Sequence, residues 1–145
     1  NAALELGRRF VEENMGIEKT SIISPAQVYG MMIPSMKGLM EEECWVIFLN
    51  SANYVISRDC MSTGGLNSTL FDVKKIAAAA LEKRAVSVIL VHNHPSGNPR
   101  PSPGDMKQTT ALKDALNSLS IVLTDHIVVS DDSYFSFADE TMYEG

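Results

Sequence analysis

His92 and His94 stand one residue apart where an apolar run, Val86 to Val91, gives way to Pro, Ser, Gly and Asn. On an extended strand alternate side chains share a face, so the two imidazoles project to one side and Asn93 to the other. Two imidazoles on one face can share a metal ion. A catalytic zinc site needs three ligands drawn from His, Asp or Glu, with one position left for water. Asp105 qualifies as the third, because the loop Pro95 to Pro103 leaves the strand end and returns at the start of a helix whose first turn holds it. The same residues also have structural uses. A lone His-x-His is a weak metal signal, and Ser102-Pro103-Gly104-Asp105 reads equally well as a helix start, with Ser102 as N-cap, Pro103 at N1 and Asp105 at N3 beside the positive helix end. What favours chemistry is the combination: an apolar strand that feeds straight into the histidines is where α/β proteins place their sites.

The elements that must position these residues follow from periodicity and punctuation. Ala2 to Asn14 reads as a helix carrying Leu4, Phe10 and Val11. A second helix starts at Ser24, with Pro25 at N1 and Gln27 completing a capping box, and Pro34 is expected to bend or shorten it. Glu42 to Leu49 and Tyr54 to Cys60 read as two strands joined by a turn over Asn50 to Asn53, a hairpin. From Asp72 to Ala85 the residues Val73, Ile76, Ala77, Ala80 and Leu81 recur at helical spacing and define a packing face. Val86 to Val91 is apolar throughout, as a strand covered on both faces would be. A further helix, about Gly104 to Leu119, carries Met106, Leu112, Leu116 and Leu119 on one side. Three short strands close the chain, Ile121 to Leu123, Ile127 to Val129 and Tyr134 to Phe137, with a turn at Asp131-Asp132. The expected architecture is α/β in the α+β sense, a mixed sheet flanked by helices. It forms a single domain over 1–145, with 1–40 as an N-terminal helical extension.

Composition narrows the function classes. Hydrophobic residues make up 45% and charged residues 21%, which is usual for a folded domain and unlike a disordered or membrane chain. No apolar run approaches the roughly 18 residues that span a bilayer, so no membrane role is expected. The net charge of −6, with 12 Lys and Arg, gives little attraction for phosphates, so nucleic acid is not the expected partner. Lys74, Lys75, Lys83 and Arg84 read as the solvated face of a helix. Cys44 and Cys60 do not make a CxxC pair or a disulfide framework, and a reducing, cytoplasmic location is the default. Cys44 reads as a small core residue, Met31, Met32 and Met36 as helix packing, and Trp45 as an anchor for its strand.

Val91-His92-Asn93-His94-Pro95-Ser96-Gly97, followed by Ser102 and Asp105, resembles the JAMM (MPN-type) metallopeptidase pattern: an upstream Glu, then His-x-His, seven residues, Ser, two residues, Asp. More narrowly, HNHPSGNPRPS, the Glu42 to Asn50 strand, STGGLNSTLFDV and Thr124-Asp125-His126 resemble the RadC family of bacterial proteins, from about Ser24 to Ser136. Longer RadC proteins carry a helix-hairpin-helix segment, absent from this sequence. The resemblance implies a cytidine-deaminase-like JAMM/MPN architecture and a zinc held by His92, His94 and Asp105. It further implies an upstream Glu as general base and Ser102 near the oxyanion. Zinc lowers the pKa of its water to about 7, and a nearby carboxylate can pass that proton to a leaving amine. Counting back from Asn50 favours Glu42 as the base, on the face of Cys44, Val46 and Phe48. Glu43 points the other way, a slip of one residue exchanges them, and Glu41 is a third acid in the run. Ser102 cannot easily cap its helix at full strength and also donate to an oxyanion.

His126, placed between two strands, reads as a hydrogen-bonded structural or supporting group rather than a ligand, though it could close the metal site. The leading expectation is a zinc metallopeptidase, a hydrolase of peptide or isopeptide bonds. The alternatives are a DNA repair-associated module, after the family's usual label, and a zinc-stabilised interaction domain without catalysis. Substrate and oligomeric state are not legible in one sequence.

Overall fold

The computed structural model describes residues 21–63 and 70–145. The helix expected over Ala2 to Asn14 lies outside the described residues. A six-stranded sheet in the order β2-β1-β3-β4-β5-β6 carries three helices among the described residues, a mixed α+β architecture. The strands are β1 (Glu43–Leu49), β2 (Val55–Thr63), β3 (Ser87–Asn93), β4 (Val122–Val129), β5 (Ser133–Ser136) and β6 (Thr141–Glu144); the helices are α1 (Pro25–Met36), α2 (Val73–Glu82) and α3 (Pro103–Asn117). Neighbouring strands are antiparallel except β3 and β4. A parallel pair cannot be joined by a tight turn, and α3 supplies the crossover. That crossover decides the site, because it brings the start of a helix to the end of β3.

Helix α1 begins as its sequence dictates: Ser24 Oγ accepts from Gln27 N–H at 3.3 Å and Gln27 Oε1 accepts from Ser24 N–H at 3.1 Å. Pro34 sits inside the helix, which continues to Met36. Val28, Met32 and Met36 bury against Ile47, Leu49, Ile89, Val91, Ile127 and Val129 on one face of the sheet. On the other face, Ile76 and Ala80 of α2 with Leu112 and Leu116 of α3 cover Cys44, Val46, Phe48, Val88 and Leu90. The central strand β3 is therefore buried along its whole length, which is why it is apolar on both faces.

Several boundaries and faces differ from expectation. Leu81 is 53% exposed and Met106 55%, so the apolar stripes of α2 and α3 are narrower than periodicity implied, and Leu119, 41% exposed, lies past the end of α3 at Asn117. Ile76 and Ala80 of α2 and Leu112 and Leu116 of α3 fill the space against the sheet. The hairpin strand β2 runs on to Thr63, and β6 was not foreseen. The main correction concerns the C-terminal strands. Ile121 to Leu123 and Ile127 to Val129 are not separate: Val122–Val129 is one strand, and Thr124-Asp125-His126 lies within it rather than between strands. A polar triplet looks like a break because buried polar groups need partners. Here the fold supplies them. Asp125 accepts from Ser136 Oγ at 2.7 Å and from the Ala138 and His126 N–H groups at 2.9 and 2.7 Å. The register slips between Val88 and Ile89, where Thr124 is the extra residue.

Candidate metal centre

Strand β3 extends two residues beyond the apolar run and takes in His92, paired with Cys44 of β1 and Val128 of β4. His92 is fully buried on the α2/α3 face. The His94 N–H continues the ladder to Val129 O at 2.9 Å. The chain then turns: Gly97 N–H donates to His94 O at 3.0 Å, with Pro95 suiting the turn and Gly97 at φ 91, a left-handed value glycine tolerates best. The turn delivers the Asn98 carbonyl to His94 Nδ1 at 2.8 Å. A carbonyl only accepts, so His94 Nδ1 carries a proton, and in the neutral ring Nε2 keeps its lone pair.

At the start of α3 the expected capping box is present. Ser102 Oγ accepts from Asp105 N–H at 3.0 Å, and Asp105 Oδ2 accepts from Ser102 N–H at 2.8 Å. The same Oδ2 lies 3.2 Å from His94 Nε2 and 3.7 Å from His92 Nε2, and the two Nε2 atoms are 3.0 Å apart. His92, His94 and Asp105 are the group of His, Cys, Asp and Glu able to hold a metal ion among the described residues, their donor atoms all within 4.8 Å of one another. Two imidazole nitrogens and a carboxylate oxygen thus converge on one point, an arrangement that could hold a metal ion. Burial pushes the His94 imidazolium down, but its bonds to Asp105 and the Asn98 carbonyl, with the charge of Glu42, raise it overall. Burial likewise acts to raise the Asp105 carboxyl, and His92, His94 and the Ser102 N–H outweigh it to hold that group far below the usual carboxylate range. The donor set, two imidazoles and one carboxylate, suits zinc.

Glu42 lies just ahead of β1, exposed, near enough for its charge to act on His94 and Cys44. Glu43 turns the other way, its Oε1 accepting from Trp45 Nε1 at 2.9 Å. Asn93, read from the sequence only as pointing away, has a task that alternation alone does not show. Its Oδ1 accepts from Glu43 N–H at 2.7 Å and its Nδ2 donates to Glu41 O at 3.0 Å. Asn93 thus clamps the backbone on both sides of Glu42. As for Ser102, its cap uses a lone pair of the hydroxyl oxygen, which leaves the hydroxyl proton for another partner. Cys44 is fully buried and its thiol is pushed up by burial, as a core residue's would be.

His126 does not join the three converging atoms. Its Nε2 meets His92 Nδ1 at 2.7 Å and its Nδ1 meets Thr109 Oγ1 at 2.6 Å, so it stands behind His92 and does not close the site. Burial first, and then the His92 ring, hold it well below the usual histidine range. Thr109 in turn donates to Asp105 O at 2.6 Å. The one sequence signal for this support is the Thr109 position, one helical turn after Asp105.

An α+β domain with a His-x-His strand end facing a helix-borne aspartate defines the class. Residues 22–142 match the family described as RadC-like JAB domain, and the chain belongs to that family. It is 39% identical over 142 residues to a UPF0758 protein of Flavobacterium johnsoniae, covering 98% of this chain and 62% of that protein. A UPF0758 protein of Porphyromonas gingivalis is 40% identical over 140 residues, with 96% and 61% covered. One from the archaeon Methanosarcina acetivorans is 37% identical over 142 residues, with 96% and 60% covered. The chain thus spans about three fifths of the length of these relatives. No helix among the described residues is long and apolar enough to cross a membrane.

Proposed function

We propose that this domain is a zinc-dependent hydrolase of peptide or isopeptide bonds, with His92, His94 and Asp105 as the metal ligands. The observation that carries this is the approach of the two Nε2 atoms and Asp105 Oδ2 to 3.0, 3.2 and 3.7 Å, a geometry of acceptors that calls for a shared cation. His126 faces away from that point, which leaves three protein ligands, the number typical of catalytic rather than structural zinc. When bound, zinc supplies a water that ionises near neutral pH, at about pH 7. With the metal held there, the Glu42 carboxylate would take a proton from the attacking water and would return it to the leaving amine. Asn93 holds the backbone that carries Glu42, and the Ser102 hydroxyl donates to the oxygen that gains negative charge.

The test pairs metal content with hydrolysis of a fluorogenic peptide and isopeptide series. The parent chain should hold about one zinc, His94→Ala should lose both metal and turnover, and Glu42→Gln should keep the metal while turnover falls about 100-fold or more. A Glu42→Gln variant as fast as the parent removes Glu42 from the proton transfer, and a parent without zinc removes the proposal altogether.

A further inference from the structure

Behind the converging atoms a closed set of hydrogen bonds runs from one candidate ligand to another. His92 Nδ1 meets His126 Nε2 at 2.7 Å, His126 Nδ1 meets Thr109 Oγ1 at 2.6 Å, and Thr109 Oγ1 reaches Asp105 O at 2.6 Å. Direction along this chain is forced from its far end. A carbonyl oxygen only accepts, so the single hydroxyl proton of Thr109 goes to Asp105. Thr109 Oγ1 can then only accept from His126, so His126 Nδ1 bears hydrogen. His126 is fully buried, with neither ring nitrogen on a carboxylate, so it is neutral and its Nε2 is an acceptor. His92 Nδ1 must therefore donate, and His92 Nε2 is left with a bare lone pair. Phe137 stacks on the His126 ring, with centroids 4.4 Å apart and planes 10° apart.

We propose that Thr109 and His126 form a positioning relay: they fix His92 as its Nδ1–H tautomer, aim its Nε2 lone pair at the point shared with His94 and Asp105, and tie strand β3 to the first turn of α3. Its consequence for zinc affinity rests on the metal reading above; its consequence for the tautomer does not. The ring nitrogen opposite a metal commonly donates to a carboxylate or a carbonyl. Here the acceptor is a neutral histidine, itself held in one orientation by a threonine on the helix that bears another ligand.

The experiment uses the full chain with Thr109→Val, which exchanges hydroxyl for methyl at nearly constant volume, and Thr109→Ser, which keeps the hydroxyl. Long-range proton–nitrogen NMR of the imidazoles reads the tautomers at neutral pH without metal, and competition against a zinc chelator reads affinity. The parent should show Nδ1–H at both His92 and His126. Thr109→Val should lose that pattern at both rings and bind zinc about 10–100-fold more weakly, and Thr109→Ser should restore both. A threonine of purely structural use would lower the melting temperature and leave the His92 tautomer as it was, which overturns the relay. So does a parent protonated at His92 Nε2, or a Thr109→Val variant with parental zinc affinity. A parent that shows the expected tautomers and binds no zinc supports the relay and overturns the metal reading.

Discussion

Helices α1 and α3 start with the same device. Ser24-Pro25-Ala26-Gln27 and Ser102-Pro103-Gly104-Asp105 each set a serine at the N-cap, a proline at N1 and a reciprocal acceptor at N3. At α1 the N3 side chain is spent on the local backbone: Gln27 Oε1 accepts from Ile23 and Ser24 N–H, and its Nε2 donates to Ser21 O. At α3 the N3 oxygen that accepts from Ser102 N–H also stands beside two imidazoles. A capping box is a local solution to unsatisfied helix N–H groups. Whether it is also part of a site depends on what the sheet brings opposite it. Helix α1 packs over Ile47, Leu49, Ile89, Val91, Ile127 and Val129, whereas α3 begins where β3 presents its histidines.

The largest difference between the two boxes should come at N3. Asp105→Asn keeps an oxygen for the Ser102 N–H and removes the anionic ligand. Zinc affinity should fall at least about 100-fold while urea unfolding of the metal-free chain shifts by less than about 1 kcal/mol. Unchanged zinc binding would make the α3 box no more than a cap. Next in size is Ser102→Ala, expected to lower turnover about 100-fold through loss of the oxyanion donor and stability by about 1 kcal/mol through loss of the cap. Ser24→Ala is its control: the same loss of about 1 kcal/mol in urea unfolding, with zinc content and turnover unchanged. If Ser102→Ala and Ser24→Ala match in turnover as well as stability, Ser102 has no part beyond the helix start.

Much of this was readable along the chain because it is local. The His-x-His alternation, the capping boxes and the apolar central strand all follow from the periods of strand and helix. The departures arose where distant partners override local pattern. Thr124-Asp125-His126 looked like a break between strands, since nothing nearby satisfies it; Ser136, Ala138, His92 and Thr109 do so across the fold. Leu81, Met106 and Leu119 looked like core, but the room between helix and sheet is filled by Ile76, Ala80, Leu112 and Leu116. The role of Asn93 was not visible in its own segment because its partners, the Glu41 carbonyl and the Glu43 N–H, belong to the distant chain that leads into β1.

The sequence by itself determined the donor types, their spacing and the strand and helix that carry them, because side-chain chemistry and backbone period are properties of short segments. Only the tertiary structure decided that the β3 end and the α3 start meet within hydrogen-bond distance. It also decided that His126 stands behind His92 rather than beside it, and that Thr109 and Asn93 are placed to orient their neighbours. Those are matters of register and crossover, set by burying two apolar layers on one sheet, and no short segment contains them.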